Sequence, residues 1–216
     1  MLTASGWLAR QPKPFQAEVL RRGHGLSFRR GEPIYRLGDP PGGAYGLVAG
    51  SFAIVTAPPG AEPMTPHLTA PGHWTGEGCF LSGEPRRVEL RAITDCAVLS
   101  LPLDQMQRMA AADPDAARRF GEIAMLDIDL AIRIIHDLLI SDRDRRIAAV
   151  LARCAAIGDA APVGQDELGA MANATRKQVN AALGRLAARG WVATGYRSIR
   201  VLDPAALAAF ARGEGE

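Results

Sequence analysis

Between about Ser27 and Leu103, short apolar runs alternate with glycine- and proline-rich breaks, as in EPIYRLGDPPGG, AYGLVAGSFAIVTAPPG and VELRAITDCAVLSLP. Short strands at this spacing predict an antiparallel jelly-roll-like barrel or sandwich. Asp39-Pro40-Pro41-Gly42-Gly43 and Pro58-Pro59-Gly60 read as turns. A short helix over residues 14–22 precedes the strands, with Pro14 near its start.

After Pro102 the period changes from two to about 3.6. Residues 103–111 suit a short helix. Asp113-Pro114 then offers an N-cap and a first-turn proline for a long helix to about Ile140. Phe120, Ile123, Leu126, Leu130, Ile134 and Leu138 recur at spacings of three and four, and Ala131, Ile135 and Leu139 widen the stripe. Some 26 residues of helix span about 40 Å, more than a small domain needs to cover its core. A partner helix in a second subunit is the expected cover. Ser141-Asp142 interrupts the pattern and is the expected hinge. A helix over 143–157 follows, with Ile147, Val150, Leu151 and Cys154 on one face, then a loop over 158–164.

Residues 165–201 read as a helix-turn-helix followed by a two-stranded wing. The first helix covers Gln165–Ala172, where Gly169 leaves room for a helix crossing. Asn173-Ala174 makes the turn, and asparagine tolerates the left-handed backbone such a turn needs. Thr175 and Gln178 form a capping box that opens a second helix to about Ala188, with Val179, Leu183 and Leu186 as its buried stripe. The wing pairs residues 191–193 with 198–201 around Gly195.

Charge sharpens this picture. Residues 176–200 carry Arg176, Lys177, Arg185, Arg189, Arg197 and Arg200 and neither Asp nor Glu. Residues 143–216 hold 11 Lys/Arg against 7 Asp/Glu, net +4, while the remainder holds 14 against 16, net −2. A basic head on a slightly acidic body suits double-stranded DNA as partner. On the front of the second helix, Arg176 can pair with guanine, Asn180 with adenine and Lys177 with guanine or phosphate, beside the small Ala181. Thr175, Gln178, Arg197 and Arg200 are the expected backbone contacts.

The three cysteines, Cys79, Cys96 and Cys154, are scattered and lack a CxxC pair, so neither a disulfide framework nor a zinc site is expected. No run approaches the ~20 apolar residues of a membrane span. No signal-peptide pattern opens the chain, which points to the cytoplasm. No metal-ligand cluster or nucleophile–base pair stands out, so an enzyme is not expected.

Residues 76–92, GEGCFLSGEPRRVELRA, add a second constellation. With the strand pattern, the long helix and the helix-turn-helix in that order, nearly the whole chain resembles the CRP/FNR family of bacterial transcription regulators. The resemblance implies an α+β chain in three parts. These are a cyclic-nucleotide-binding-like β-barrel over 1–112, a dimerisation helix and hinge over 113–141, and a winged helix-turn-helix over 142–216. It implies a homodimer on an inverted-repeat operator, with RNA polymerase as a further partner. Gly76, Glu77 and Arg86 match the positions that hold ribose and cyclic phosphate in the family's nucleotide binders. Arg87 stands where those proteins have Ser or Thr. Their base-contacting polar pair falls on Ala131 and Ile132, which cannot hydrogen-bond a purine through their side chains. The expected effector pocket is thus Gly76, Glu77, Arg86, Arg87, Ala131 and Ile132, with its ligand unknown and cyclic AMP in the usual manner disfavoured. Three cysteines, none before Cys79, exclude the family's iron–sulfur sensing. The alternative reading is a cyclic-nucleotide module that acts through protein contacts instead of DNA.

Overall fold

The computed structural model describes residues 2–57, 60, 63–155, 163–195 and 198–214. In chain order the elements are α1 (Gly6–Ala9), α2 (Lys13–Arg22), β1 (His24–Phe28), β2 (Pro33–Tyr35), β3 (Ala44–Ala49), β4 (Phe52–Thr56), β5 (Met64–Leu68), β6 (Trp74–Thr75), α3 (Gly78–Ser82), β7 (Glu89–Ala92), β8 (Cys96–Leu101), α4 (Leu103–Ala112), α5 (Pro114–Leu139), α6 (Arg143–Cys154), α7 (Gln165–Met171), α8 (Arg176–Ala188), β9 (Val192–Gly195), β10 (Ser198–Val201) and α9 (Pro204–Arg212). They form two compact units: Met1–Pro63 with Thr69–Ala131, and Met64–Leu68 with Ile132–Glu216.

The first unit is built on two antiparallel sheets, in keeping with the sandwich-or-barrel reading of the strand spacing. One runs β1-β8-β3-β6; in the other, β7 lies between β2 and β4. Strand alternation supplies the cores. Leu47, Phe52, Leu90, Ala92, Cys96 and Val98 pack with Tyr35 into one cluster. A second cluster joins Trp7, Leu8, Phe15, Val19, Trp74, Leu101, Met106, Phe120 and Ile123, so α1, α2, α4 and the start of α5 share one core. The helix α1 was not legible in the sequence, being a single turn too short for a periodic signal. The predicted turn at Pro58-Pro59 lies outside the described residues.

The long helix divides its apolar positions between two tasks. Ala116, Phe120 and Ile123 are buried in the unit core. Met125, Ile128, Ile132, Ile135 and Leu139 are exposed, and their spacing of 3, 4, 3 and 4 is that of a coiled-coil seam. The sequence pattern placed the stripe on Phe120, Ile123, Leu126, Leu130, Ile134 and Leu138, widened by Ala131, Ile135 and Leu139. Phe120 and Ile123 belong to the core, Ile135, Leu138 and Leu139 are exposed as a free stripe requires, and Met125, Ile128 and Ile132 join the exposed side without having been read from the pattern.

In the second unit Asp142 caps α6, its carboxylate accepting from Arg145 N at 2.8 Å. Ile147, Val150, Leu151 and Cys154 are fully buried, as their spacing predicts. α6 packs against α7, α8 and α9. α9, which sequence reasoning missed, starts at Pro204 under an Asp203 cap that accepts from Ala206 N at 2.8 Å. The predicted loop falls mainly outside the described residues, which resume at Val163.

Candidate nucleic-acid interface and effector pocket

The turn between α7 and α8 has the chemistry read from the sequence. Asn173 has φ +48°, the only positive φ at a non-glycine residue among those described. A Cβ on Gly169 would lie 2.5 Å from the Ala174 carbonyl oxygen, so the two helices cross where only glycine fits. Thr175 Oγ1 accepts from Gln178 N while Gln178 Oε1 accepts from Thr175 N, closing the capping box. Arg146 adds a clamp that sequence reasoning missed. Its guanidinium donates to the carbonyls of Ile140, at 2.5 Å, and Ala172, at 2.6 Å, and Asn173 O lies 3.4 Å from it. Ala172 O and Asn173 O lie at the turn and Ile140 O just past the end of α5, so one cation fork ties the turn to the start of the second unit.

Val179, Ala182, Leu183 and Leu186 bury one face of α8. The opposite face leaves Thr175, Arg176, Lys177, Asn180 and Ala181 exposed and Gln178 half-buried. The six cations counted in the sequence are not equivalent. Arg185 forms a bidentate pair with Asp144, at 2.5 and 2.8 Å, tying α8 to α6. Arg189 lies over Trp191 and Phe210, at 4.9 and 5.1 Å from the ring centroids. Arg176 faces Asp166 at 3.5 Å, but both side chains are largely exposed, so the pair holds Arg176 weakly. Lys177 and Arg200 remain exposed, Arg200 on β10. Arg197 lies outside the described residues.

The first unit contains a cavity of about 680 Å³. Gly76, Glu77, Arg86, Arg87 and Ala131 line it, so the structure gathers five of the six expected pocket residues. Ile132, the next position on α5, is exposed and does not line it. Arg86 is buried, with its guanidinium 4.1 Å from the Tyr35 ring centroid. Nη1 donates to Gly76 O at 2.9 Å and Nη2 to Gly43 O at 2.8 Å. A Cβ on Gly42 would stand 2.4 Å from Nη2, so the glycine run of that turn makes the seat for the guanidinium. Each terminal nitrogen keeps a second N–H, which suits an anion. Arg87, which stands where the family's nucleotide binders have Ser or Thr, is exposed along the lining.

Two carboxyl groups complete the lining. Glu77 is 6% exposed, and its Oε2 has no hydrogen-bond partner among the described residues. Burial pushes its carboxyl above the ordinary range, partly offset by Arg86. Asp127 was missed by sequence reasoning. It lies with Ala124, Ile128 and Ala131 on the pocket-facing side of α5. Its Oδ2 accepts from the Thr75 hydroxyl at 3.3 Å, and its Oδ1, 3.6 Å from His73 Nε2, has no hydrogen-bond partner among the described residues. Burial, reinforced by Glu77, pushes the Asp127 carboxyl up to about 8. Burial pushes His73 down to about 4, so its ring is uncharged near neutral pH. The signal for Asp127 was available: it falls one helical turn before Ala131 on the same face.

Comparisons with known proteins match both parts of the chain. Residues 26–113 match the cyclic nucleotide-binding domain family, and residues 145–210 match the Crp-like helix-turn-helix domain family. A CRP-like cAMP-activated global transcriptional regulator of Mycobacterium tuberculosis is 24% identical over 196 residues, covering 87% of this chain and 88% of that protein. A transcriptional regulator of the CRP/FNR family from Thermus thermophilus superposes with a TM-score of 0.71 at 25% identity, over 89% of this chain and all of that one. FixK2 from Bradyrhizobium japonicum gives a TM-score of 0.73 at 21% identity, over 86% of this chain and 95% of that one.

Proposed function

Since the chain belongs to the CRP/FNR family of DNA-binding transcriptional regulators, we propose that it works as a homodimer which sets α8 of each subunit into successive major grooves of an inverted-repeat operator. The carrying observation is the front of α8, where Arg176, Lys177, Asn180 and Ala181 are exposed while the opposite face is buried. Arg176 and Asn180 read base edges, and Lys177, Thr175, Gln178 and Arg200 hold phosphates. Arg197, outside the described residues, belongs to the same set by its position in the sequence between β9 and β10. Arg185 and Arg189 keep the head rigid through Asp144 and through Trp191 with Phe210.

The seam Met125, Ile128, Ile132, Ile135 and Leu139 is the dimer contact, because an uncovered apolar heptad stripe on a long helix gains most by pairing with its own copy. The effector is an anion that enters the cavity and takes the spare N–H groups of Arg86 while Glu77 accepts from its hydroxyls. A matching ligand in each subunit shifts the population of DNA-competent heads, with Ser141-Asp142 as the hinge. The regulator then acts on RNA polymerase in the cytoplasm. The cAMP-activated relative from Mycobacterium tuberculosis supports a nucleotide as the general class of effector.

Fluorescence anisotropy with operator-like and scrambled duplexes tests this reading. Affinity should fall linearly on a log–log plot against salt. Arg176→Ala should cost about 1–3 kcal/mol on the preferred duplex and relax its preference, and Lys177→Ala should weaken all duplexes evenly. Retention that does not change with salt, or an Arg176→Ala variant with unaltered preference, overturns it.

A further inference from the structure

Two acids open α7, and they are used differently. Glu167 turns back on its own helix, where its Oε2 accepts from Gly164 N at 2.6 Å. Asp166 turns toward α8, and its Oδ2 lies 3.5 Å from Nη1 of Arg176, the first residue of that helix. The fold does not need this contact. The two side chains are 74% and 67% exposed, and Glu167 and the Thr175–Gln178 box cap the two helices without them. A pair so wet adds little to stability. Its consequence is directional. A cation in the first turn of a helix faces the positive end of the dipole; the Asp166 carboxylate offsets that and holds Arg176 forward.

The pair also selects the edge that Arg176 presents. A guanidinium carries five N–H donors in a planar fork. With Nη1 held toward Asp166, the Nε–Nη2 edge stays open. Arg185 grips both oxygens of Asp144 with this same edge, at 2.5 and 2.8 Å. Guanine O6 and N7 accept side by side from such an edge. Resting on the reading of α8 above, we infer that Asp166 is a positioning residue for DNA recognition, which aims Arg176 at guanine and lowers affinity for every other sequence. The first helix of a helix-turn-helix crosses the phosphate backbone, so the Asp166 carboxylate meets phosphate repulsion on any duplex. Docking excludes water from the ion pair and strengthens it. The repulsion is therefore general, and it is offset only where the aimed guanidinium finds its guanine.

The test is selection by the full-length protein from duplexes randomised across both half-sites, with sequencing of the retained pool. Arg176→Ala identifies the base pair that Arg176 reads, by the guanine its pool loses. Asp166→Ala should lower the guanine preference at that same base pair by about tenfold. By anisotropy it should also bind a scrambled duplex more tightly and with a steeper salt slope, because a charge that repels phosphate is gone. In an Arg176→Ala background, Asp166→Ala should leave the base preference where it was. Asp166→Glu, which keeps the carboxylate, should retain more of the preference than Asp166→Ala. A merely structural role would weaken both duplexes together and persist in the Arg176→Ala background. An unchanged preference in Asp166→Ala, weaker binding of the scrambled duplex, or a change at a different base pair, overturns the inference. The two readings fail separately. A parent that enriches no sequence, or a pool that Arg176→Ala leaves unaltered, removes the reading of α8 and this inference with it. A guanine lost with Arg176→Ala yet kept with Asp166→Ala removes the role of Asp166 alone.

Discussion

Asp127→Asn should make the first unit more stable at alkaline pH and remove the Asp127 share of its pH dependence between about 4 and 8. The Asp127 carboxyl is pushed from its ordinary 3.8 up to about 8 by burial and by Glu77. His73, uncharged near neutral pH, offers Oδ1 no cation. An acid whose folded value lies above its unfolded value stays protonated in the native state while the unfolded chain has lost the proton. Its stabilising contribution is complete below about 4 and drains away as pH rises, until the native carboxyl also ionises near 8. Each tenfold difference in proton affinity between the folded and unfolded chain is worth about 1.36 kcal/mol, so the whole window has a ceiling of about 6 kcal/mol. The amide keeps the shape and never ionises. The assay is urea unfolding at pH 4, 6 and 8.5, followed by tryptophan fluorescence in a Trp191→Phe background, which leaves Trp7 and Trp74 of the first unit as reporters. The parent should lose ground to Asp127→Asn steadily from pH 4 to 8.5. Parallel pH dependences, or a variant less stable at pH 8.5, would refute the burial argument.

Three further outcomes are expected. Gly169→Ala should cost about 1–3 kcal/mol of second-unit stability and much of the DNA affinity, since its methyl meets the Ala174 carbonyl at 2.5 Å; circular-dichroism melting that stays at the parent temperature would rule out the close crossing. Ile132→Asp places a charge in the exposed seam and should convert a dimer into a monomer by sedimentation, and an unchanged mass would remove the seam from the interface. Gly42→Ala should leave the fold intact yet abolish nucleotide binding, because its Cβ would displace Arg86 Nη2, and calorimetry with retained binding would discard that seat.

Local chemistry made much of this protein legible. Asn173, Gly169 and the Thr175–Gln178 box specify the helix-turn-helix because backbone sterics and capping act over a few residues, whatever surrounds them. The buried stripes of α6 and α8 follow from their helical period. Gly76, Glu77 and Arg86 were identified as a set by family resemblance, and the structure brings them to one cavity.

Other features required the tertiary fold. Sequence periodicity shows that α5 has more apolar surface than one partner can cover, but not which part of it the core takes; packing around Trp7 and Phe15 claimed Phe120 and Ile123 and left Met125, Ile128, Ile132, Ile135 and Leu139 uncovered. Charge counting treated six cations alike, whereas packing against Asp144 for Arg185, and against Trp191 and Phe210 for Arg189, decides that these two serve the fold. In the chain Asp127 is marked only by sharing a helix face with Ala131. Only the approach of Thr75 and Glu77, about fifty residues earlier, removes it from water and makes it a wall of the pocket. Propensity and capping are properties of neighbours in the chain; burial and ionisation depend on neighbours in space.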